Sequence, residues 1–393
     1  MSHAPWDTVV VGAGPAGCIA AASLARAGAR VLLVERARLP RDKVCGCCLG
    51  APGVAALQSM GVVPALERMG ARSFASIRIR CGERGAEFGV APGLALSRRT
   101  LDESLCEHAE RSGAQLRDGT SATVTPAKDH ARVTLSWKGG EEHVTARTVV
   151  IADGLGGSSL RNHPGFGWTV RAHSRMGVGA LVDTGVVPLA PGQVHMHVGA
   201  IGYVGMVRIE GSTVDVAAAI DPAALRAGGP GAAVATILES CGVESGWAAS
   251  VRWHGTPPLT RRRDRVALGG VFVVGDAAGY VEPFTGEGMT WAIRGAAAVG
   301  ACCQAFLAGD PAASARWEAE YGRIIRSRQA ACRALSWLVR RPLLVRAGVA
   351  LAAGVPAVSK VVPWVLGTGD VDRCGVGVGG VGGGGAEVPQ WTP

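Results

Sequence analysis

The chain has 393 residues, of which 48% are hydrophobic and 18% are charged, so it carries enough apolar material for a large core. Basic residues exceed acidic ones by 40 − 31 = 9, but they are spread along the chain rather than gathered in an arm, which gives little support to nucleic-acid binding. Eleven cysteines and the lack of a recognisable secretory signal favour a reducing, cytoplasmic location over a disulfide scaffold.

The first readable unit is a strand, a glycine-rich turn, a helix and a second strand. A short apolar run at 7–11 leads into the turn 12–17, and an alanine-rich helix is predicted from there to about Gly28. A second apolar strand at 30–34 ends in Glu35. This order is typical of the nucleotide-binding edge of a parallel sheet.

The turn contains Gly12, Gly14 and Gly17 in the spacing G-x-G-x-x-G. The first glycine permits the tight turn, the second lets a pyrophosphate approach the backbone, and the third allows the helix to pack closely on the strand. Glu35 can accept hydrogen bonds from ribose hydroxyls and disfavours a ribose 2′-phosphate. The pattern therefore predicts a site for FAD or NAD rather than NADP.

Farther along, the hydrophobic pattern changes twice. An amphipathic helix at 98–113 and a buried strand at 143–151 precede alternating, glycine-broken pieces from about 168 to 220, which are typical of an antiparallel sheet. Parallel-sheet character returns at 271–274. We therefore predict an α/β fold in which a mainly antiparallel β-sheet substrate domain is inserted into a Rossmann-like domain.

A second glycine-bearing turn follows that last strand. Asp276 stands at the strand end, where it can hydrogen-bond a sugar-alcohol hydroxyl, and Gly286 and Gly288 open the backbone at the start of a helix. The free N–H groups and the positive end of the helix dipole would stabilise a reduced, anionic isoalloxazine.

The C-terminal part is predicted to be helical at 287–308 and 311–336 and is then unusually apolar at 337–366. No uninterrupted apolar run approaches the ~20 residues that a bilayer crossing requires. Helices packed on the core and a patch that docks on a membrane through Arg340 and Arg341 are both left open.

These motifs, in this order, resemble the FAD-dependent oxidoreductases of the p-hydroxybenzoate hydroxylase fold, and specifically their geranylgeranyl reductase-like branch. The likeness spans roughly residues 6–330. Gly279, which stands where the aromatic hydroxylases carry histidine, favours the reductase-like branch. The motifs that carry the resemblance are Gly12-x-Gly14-x-x-Gly17 with Glu35, Arg41-x-Lys43-x-Cys45-Gly46, Arg98-x-x-Leu101-Asp102, Ala152-Asp153-Gly154 with Ser158 and Arg161, and Gly275-Asp276 with Pro283 and Thr285-Gly286-Glu287-Gly288.

The resemblance implies a discontinuous FAD-binding domain at 1–73, 97–166 and 264–330, with the substrate domain at 74–96 and 167–263. A C-terminal helical apolar segment at 331–372 and a disordered glycine-rich tail at 373–393 complete the division. The predicted cofactor-binding residues are Gly12, Gly14, Pro15, Ala16, Gly17, Glu35, Arg36, Arg41, Cys45, Gly46, Arg98, Asp153, Gly154, Gly275, Asp276, Pro283, Gly286, Glu287, Gly288 and Met289.

Cys45 and Cys48 have C-x-x-C spacing, but no second such pair and no nearby histidine pair completes a metal site. A thiol redox pair and plain packing stay open. The resemblance implies a third role, in which Cys45 faces the flavin or the substrate, and we name Cys45 as the candidate catalytic residue.

His195 and His197 alternate on a predicted strand, so both imidazoles lie on one face, and a surface or pocket-lining role is favoured over metal binding. Four apolar side chains fall where a substrate pocket could form, although core packing is the ordinary role of such residues. They are Trp168, Tyr203, Met206 and Trp291.

The sequence thus predicts redox chemistry by bound FAD on a hydrophobic small molecule. Reduction of a carbon–carbon double bond in a prenyl-like or other lipophilic substrate is the first hypothesis, with NAD(P)H or a protein as the electron donor. A monooxygenase that hydroxylates an aromatic or polyketide-like ring and a flavin-binding protein without turnover are the alternatives. Peripheral membrane contact and the oligomeric state are left open, and no nucleic acid or metal is expected.

Overall fold

A computed structural model describes residues 4–125, 130–282 and 284–354. The strands are β1 (Trp6–Val11), β2 (Val31–Val34), β3 (Cys48–Leu49), β4 (Arg72–Cys81), β5 (Arg84–Ala95), β6 (Gln115–Arg117), β7 (Thr120–Thr125), β8 (Ala131–Trp137), β9 (Gly140–Ile151), β10 (Trp168–Val170), β11 (Met176–Asp183), β12 (Gln193–Gly199), β13 (Gly202–Arg208), β14 (Thr213–Ile220), β15 (His254–Pro258), β16 (Arg261–Arg263), β17 (Ala267–Leu268), β18 (Val271–Val273) and β19 (Gly279–Tyr280). The helices are α1 (Pro15–Arg26), α2 (Ala51–Ser59), α3 (Val63–Arg68), α4 (Arg98–Arg111), α5 (Pro222–Ser240), α6 (Gly288–Leu307), α7 (Ala313–Tyr321), α8 (Ser327–Val339) and α9 (Pro342–Gly354).

The first sheet carries both glycine-bearing turns. Its strands lie in the order β17-β18-β9-β1-β2-β6, and β8 and β7 continue from β9. The pairs β18-β9, β9-β1, β1-β2 and β2-β6 are parallel. Val9, Val10 and Val11 are buried because α1 and its neighbours cover the sheet, as expected of a parallel sheet. Since β1 and β18 run in the same direction with only β9 between them, the turns that follow them meet at one edge.

The second sheet has the order β15-β11-β14-β13-β12-β4-β5-β3. Its pairs are antiparallel except for β12 with β4. The inserted antiparallel sheet that the alternating pattern predicts is therefore present. Cys48 and Leu49 also pair with this sheet, although they lie in a segment that we assigned to the FAD domain. The exact domain boundaries stay a prediction.

The C-terminal helices pack along both sheets. The single helix predicted at 311–336 is instead α7 and α8 joined by a π-helical turn at Gly322–Arg326. Among the described residues, no helix is both long and apolar enough to cross a membrane. The glycine-rich tail at 373–393 lies outside the described residues, so its disorder stays a prediction.

Candidate functional site

The two glycine-bearing turns lie against each other. Gly12 has φ +103°, and a Cβ atom there would lie 2.5 Å from the Ala152 carbonyl oxygen. Gly275 has φ +60°, and its Cβ would lie 3.0 Å from the Cβ of Ala16 in the first turn. Glycine is therefore required by backbone conformation and by close approach at both positions. The third glycine, Gly17, packs helix on strand, since a Cβ there would lie 1.8 Å from the Gly12 carbonyl oxygen.

Two adjoining cavities open beside these turns. One of about 370 Å³ is lined by the second turn and the second sheet, and one of about 280 Å³ is lined by β2 and the segment after β9. Five residues line both cavities, so together they form one extended trough. The shared residues are Gly14, Arg36, Lys43, Ala152 and Asp153.

The trough fits an extended dinucleotide such as FAD. Glycine backbone at Gly14 faces it, with the Arg98 and Arg41 guanidinium groups 3.4 and 4.0 Å from the place where a Cβ would stand. Asp153 supplies a buried carboxylate oxygen, Oδ1, that has no hydrogen-bond partner among the described residues. Free N–H groups and guanidinium groups suit a pyrophosphate, and an unpartnered carboxylate oxygen suits a hydroxyl donor.

Glu35 lines the smaller cavity and is held in place by three donors. Its Oε2 accepts hydrogen bonds from the Ala13 N–H at 2.9 Å and from Arg41 Nη2 at 3.2 Å, and its Oε1 accepts one from the Ala37 N–H at 3.0 Å. Burial opposes ionisation, but Arg41 and the two backbone donors outweigh it and lower the pKa of Glu35. The side chain is an ionised acceptor at the end of β2, the position from which a ribose hydroxyl is bound in such folds.

Arg98 begins α4 and lines the larger cavity. Its Nε and Nη2 donate to Asp102 Oδ1 and Oδ2 at 3.0 and 2.8 Å, and Arg41 Nη1 donates to the same Oδ2 at 2.9 Å. Burial disfavours the charge of Arg98, but Asp102 outweighs that effect and the pKa of Arg98 is raised. One buried carboxylate thus holds two guanidinium groups beside the first turn.

Lys43 and Asp276 both line the larger cavity, and their charges interact. Burial, together with the nearby Arg98, lowers the pKa of Lys43, and Asp276 opposes that shift. Burial raises the pKa of Asp276, and Lys43 and Arg98 oppose it. This end of the trough therefore carries a buried cation and a buried carboxyl group, which suits it to a polar part of a ligand.

The loop before β3 brings Cys45 and Cys47 to the cavity wall. Cys47 has φ +49° and contacts Cys45. The hydrogen bond with Cys47 lowers the pKa of Cys45 to about 6. Burial opposes this shift, and the positive charges of Arg98 and Lys43 reinforce it. The same contact and burial raise the pKa of Cys47. One thiolate and one thiol therefore lie side by side in the cavity wall.

Asp215 stands behind this pair. It opposes Val207 across β13 and β14, so it lies on the face of the sheet that turns toward the cavity. It contacts Cys47, and burial raises the pKa of its carboxyl group well above the usual value. Asp215 and Cys47 both hold protons next to Cys45.

Beyond the loop, the second sheet forms an apolar chamber. Among the described residues, the lining that this sheet contributes contains no charged side chain. Phe284 of the second turn closes one side and packs edge-on against Tyr203, with ring centroids 5.1 Å apart. The main apolar side chains of the chamber are Phe74, Ile77, Ile79, Val194, Met196, Tyr203, Val207, Leu259 and Phe284.

The structure separates the four predicted substrate contacts. The side chain of Tyr203 lines the chamber. Met206 borders the cavity, but it opposes His195 across β12 and β13, so its side chain lies on the opposite face, in the cluster with Val204 and Val216. Trp168 does not line the chamber, because it lies between Arg261 and Arg263, whose guanidinium carbons are 5.0 and 4.3 Å from its ring centroid. Trp291 does not either, since it is buried in the core of the first sheet and its helices.

Most predicted cofactor residues line the trough, two described ones do not, and one is not among the described residues. Gly17 lies beneath the first turn, and Glu287 is turned toward Arg328, which donates to it at 3.5 Å. Pro283 lies outside the described residues. The residues that line one or both cavities are Gly12, Gly14, Pro15, Ala16, Glu35, Arg36, Arg41, Cys45, Gly46, Arg98, Asp153, Gly154, Gly275, Asp276, Gly286, Gly288 and Met289.

His195 and His197 share a face, with ring centroids 6.5 Å apart, and that face is opposite the chamber. Met196 between them is the residue that lines it. Among the described residues, no group of His, Cys, Asp or Glu side chains is placed to hold a metal ion.

Sequence reasoning missed Asp102, Cys47, Asp215 and Lys43 as site residues. Asp102 and Lys43 stand within quoted motifs, so their spacing could have signalled them. Cys47 and Asp215 are 168 positions apart, and only the fold brings them together.

The sequence of residues 6–331 matches a family model described as an FAD binding domain. Conditioned medium factor receptor 1 of Dictyostelium discoideum is 26% identical over 325 residues, which is 74% of this chain and 61% of that protein. Menaquinone reductase of Mycobacterium tuberculosis (strain H37Rv) is 37% identical over 157 residues, 38% of this chain and 37% of the reductase. Digeranylgeranylglycerophospholipid reductase of Methanocaldococcus jannaschii is 25% identical over 300 residues, 72% of this chain and 73% of that enzyme. The matched region thus spans less than two thirds of the first two relatives.

Solved structures share the fold at low sequence identity. A flavoprotein/dehydrogenase from Cytophaga hutchinsonii superposes with a TM-score of 0.78 at 17% identity, over 93% of each chain. A flavin-dependent brominase superposes with a TM-score of 0.77 at 15% identity, over 93% of this chain and 94% of the brominase. At these identities the likeness concerns the fold alone.

Proposed function

Because this chain belongs to the FAD binding domain family and is an FAD-dependent oxidoreductase of the p-hydroxybenzoate hydroxylase fold, we propose that it reduces a carbon–carbon double bond in a prenyl-like or other lipophilic molecule. The observation that carries this proposal is the chamber beside the flavin end of the trough, to which the second sheet contributes no charged side chain among the described residues. A chamber of that kind favours a hydrocarbon chain over an ionic substrate. Two relatives are reductases by name, one of menaquinone and one of a digeranylgeranyl phospholipid, and this supports the same class.

FAD supplies the two-electron chemistry when it is bound, and the protein holds it. The backbone of the first turn with Arg98 and Arg41 would bind the pyrophosphate, and Glu35 would accept from the ribose. Asp276 and the N-terminus of α6 at Gly288 would face the flavin end. The apolar second sheet would exclude water while it aligns the double bond with the cofactor.

Reduction of an isolated double bond also requires a proton from the pocket. We propose that Cys47, which lines the cavity beside the Cys45 thiolate, delivers it. Cys47 holds a proton because its contact with Cys45, burial and Asp215 raise its pKa, and Asp215 holds one because burial raises its pKa. A proton that leaves Cys47 for the substrate is then replaced from the carboxyl group of Asp215.

Anaerobic single turnover tests the reaction class. The purified protein is reduced with dithionite without oxygen, mixed with menaquinone or a digeranylgeranyl lipid in detergent, and quenched before or after oxygen is admitted. We expect saturated product and re-oxidised flavin before oxygen enters. Product that forms only after oxygen is admitted would overturn the reductase proposal in favour of the monooxygenase alternative, and no product in either case would favour flavin binding without turnover.

The chamber is tested by two substitutions on one strand. Met196→Gln places an amide in the chamber, whereas His195→Gln changes the neighbouring residue on the opposite face. We expect Met196→Gln to raise KM for a lipophilic substrate at least tenfold while the protein keeps its bound flavin, and His195→Gln to change neither. Equal KM values in the two variants would show that the chamber does not bind the substrate.

We propose NAD(P)H as the external electron donor. The rate at which NADH or NADPH bleaches the flavin absorbance in a stopped-flow mixing experiment measures this step directly. A flavin that neither nucleotide reduces within minutes would point to a protein donor instead.

A further inference from the structure

The C-terminal helices α8 and α9 present an apolar face to solvent. Leu343 is 77% exposed, Leu351 55% and Trp337 53%, and Leu344 and Leu338 on the same two helices are 45% and 37% exposed. Side chains of this size are usually covered in soluble proteins, and a group of them marks an interaction surface. We call this group the α8–α9 face.

The segment that carries the α8–α9 face has charged side chains of one sign, since residues 321–354 contain seven arginines and no acidic residue. Arg323, Arg326, Arg328 and Arg340 pair with acidic residues outside this segment, whereas Arg333, Arg341 and Arg346 form no ion pair with the described residues. Arg341 lies 3.5 Å from the ring centroid of Trp337 and donates to the carbonyl oxygen of the same residue at 2.8 Å. Tryptophan with a neighbouring cation is the pairing that lies at the boundary of water and lipid.

We propose that the α8–α9 face docks on the surface of an anionic bilayer. The exposed leucines would enter the boundary between headgroups and acyl chains, Trp337 would lie at headgroup level, and Arg341, which contacts Trp337, would bind a lipid phosphate. A second copy of this chain would meet the same concentration of positive charge on both sides, which disfavours self-association through this face.

The inner side of α9 connects the α8–α9 face to the chamber. Val345 and Val349 are buried in the same apolar cluster as Ile79 and Met196, which line the chamber. Only the thickness of one helix, about 10 Å, therefore separates the bilayer from the chamber wall. If the proposed function holds, this arrangement lets a lipophilic substrate reach the flavin from the membrane; the docking itself does not depend on the reaction.

Vesicle co-sedimentation of the full-length protein tests the docking. The vesicles are either phosphatidylcholine alone or an equal mixture of phosphatidylcholine and phosphatidylglycerol. We expect binding to the anionic vesicles that weakens as salt rises, at least tenfold loss in the double variant Leu343→Ser/Leu351→Ser, and a smaller loss in Arg341→Glu. The readout is bound protein, so it is independent of activity and of the proposed function.

The matched control is the double variant Leu181→Ser/Val186→Ser. These residues are 46% and 49% exposed and belong to the second sheet and the turn after it, away from α8 and α9. We expect this variant to bind vesicles as the wild type does. The proposal is overturned if the wild type binds neither vesicle, if the Leu343→Ser/Leu351→Ser variant binds as well as the wild type, or if light scattering shows a dimer that this variant dissociates.

Discussion

Arg98 and Asp102 lie one helical turn apart on α4 and form a two-pronged ion pair, with N–O distances of 3.0 and 2.8 Å. Both side chains are buried. The pair fixes the guanidinium of Arg98 in the wall of the trough, where the pyrophosphate is proposed to lie. Asp102 is therefore a positioning residue for a cationic group that binds the cofactor.

We expect Asp102→Asn to weaken FAD binding at least tenfold, because Arg98 and Arg41 both lose the carboxylate that orients them. Removing one partner of a buried ion pair also lowers the free energy of unfolding by about 3 kcal/mol. FAD titration of the flavin-free protein and urea denaturation measure the two effects. The control is Glu107→Gln, which breaks an exposed i,i+4 pair with Arg111 on the same helix, at 3.3 Å and outside both cavities, and which should change the free energy of unfolding by less than about 1 kcal/mol. Equal FAD affinity in both variants would contradict the role of Asp102.

The thiol of Cys45 should be the one that reacts at low pH. Its pKa is about 6, so its thiolate fraction rises as the pH increases through 6, whereas an ordinary cysteine ionises near 9. We expect the rate of iodoacetamide labelling of Cys45 in flavin-free protein, followed by mass spectrometry, to have its midpoint near pH 6 and to fall when FAD is added. In Cys47→Ala the midpoint should move upward, because the contact with Cys47 is the largest contribution that lowers the pKa. A midpoint near 9 in the wild type would show that Cys45 is an ordinary packed thiol.

The sequence could predict a site residue where the need for that residue type arises from a few neighbouring positions in the chain. Gly12 and Gly275 have positive φ and close neighbours, so each turn must contain glycine and can be recognised from a few residues. Alternation on β12 correctly put His195 and His197 on one face, but it could not say which face meets the chamber. That choice depends on where the helices pack.

The tryptophans predicted as substrate contacts show a second reason why the sequence alone could not identify the pocket. Trp168 and Trp291 stand near candidate pocket segments in sequence, yet one is held between arginines and the other lies in the core. Size and hydrophobicity suit an aromatic side chain to a pocket and to a core equally well. The contact of Cys47 with Asp215 also depends on tertiary structure, since no spacing rule links a loop to a strand so distant in the chain.

His197 should make the protein sensitive to acid. It is 2% exposed, neither ring nitrogen has a hydrogen-bond partner among the described residues, and burial, aided by His195, Arg80 and Arg78, lowers its pKa to about 3. Between pH 6.5 and 3 the unfolded chain binds a proton at this histidine and the folded chain does not. The free energy of unfolding therefore falls as the pH falls, by about 1.4 kcal/mol per pH unit.

His197→Leu removes the buried ring nitrogens that have no partner among the described residues. We expect it also to remove this dependence of the free energy of unfolding on pH. The variant should be more stable than the wild type by about 1 kcal/mol at pH 7 and by about 3 kcal/mol at pH 5. Urea denaturation at several pH values measures the difference, with His254→Leu, at an exposed position on β15, as the control. A gap between His197→Leu and the wild type that does not widen from pH 7 to pH 5 would contradict the assignment.

Glu282 connects the second turn to the substrate domain and to α8. Its carboxylate accepts from Arg175 Nη1 at 3.0 Å and from Arg340 Nη2 at 3.1 Å, and its backbone carbonyl accepts from the Ser336 hydroxyl at 2.9 Å. Arg175 is buried as completely as Glu282, so the charge of each depends on the other. Because Glu282 lies two residues before Phe284, the network holds the turn that closes the chamber.

We expect Glu282→Gln to lower the free energy of unfolding by about 3 kcal/mol, since the buried Arg175 would lose one of its two carboxylate partners and keep only the less buried Asp221. The turn should also loosen, so that FAD dissociates several times faster, measured by the recovery of free flavin fluorescence after dilution. Glu320→Gln is the control, because it breaks a pair with Arg323 of similar geometry that is open to solvent and should change the free energy of unfolding by less than about 1 kcal/mol. If Glu282→Gln loses stability but releases FAD at the wild-type rate, then the network supports the fold without holding the flavin turn.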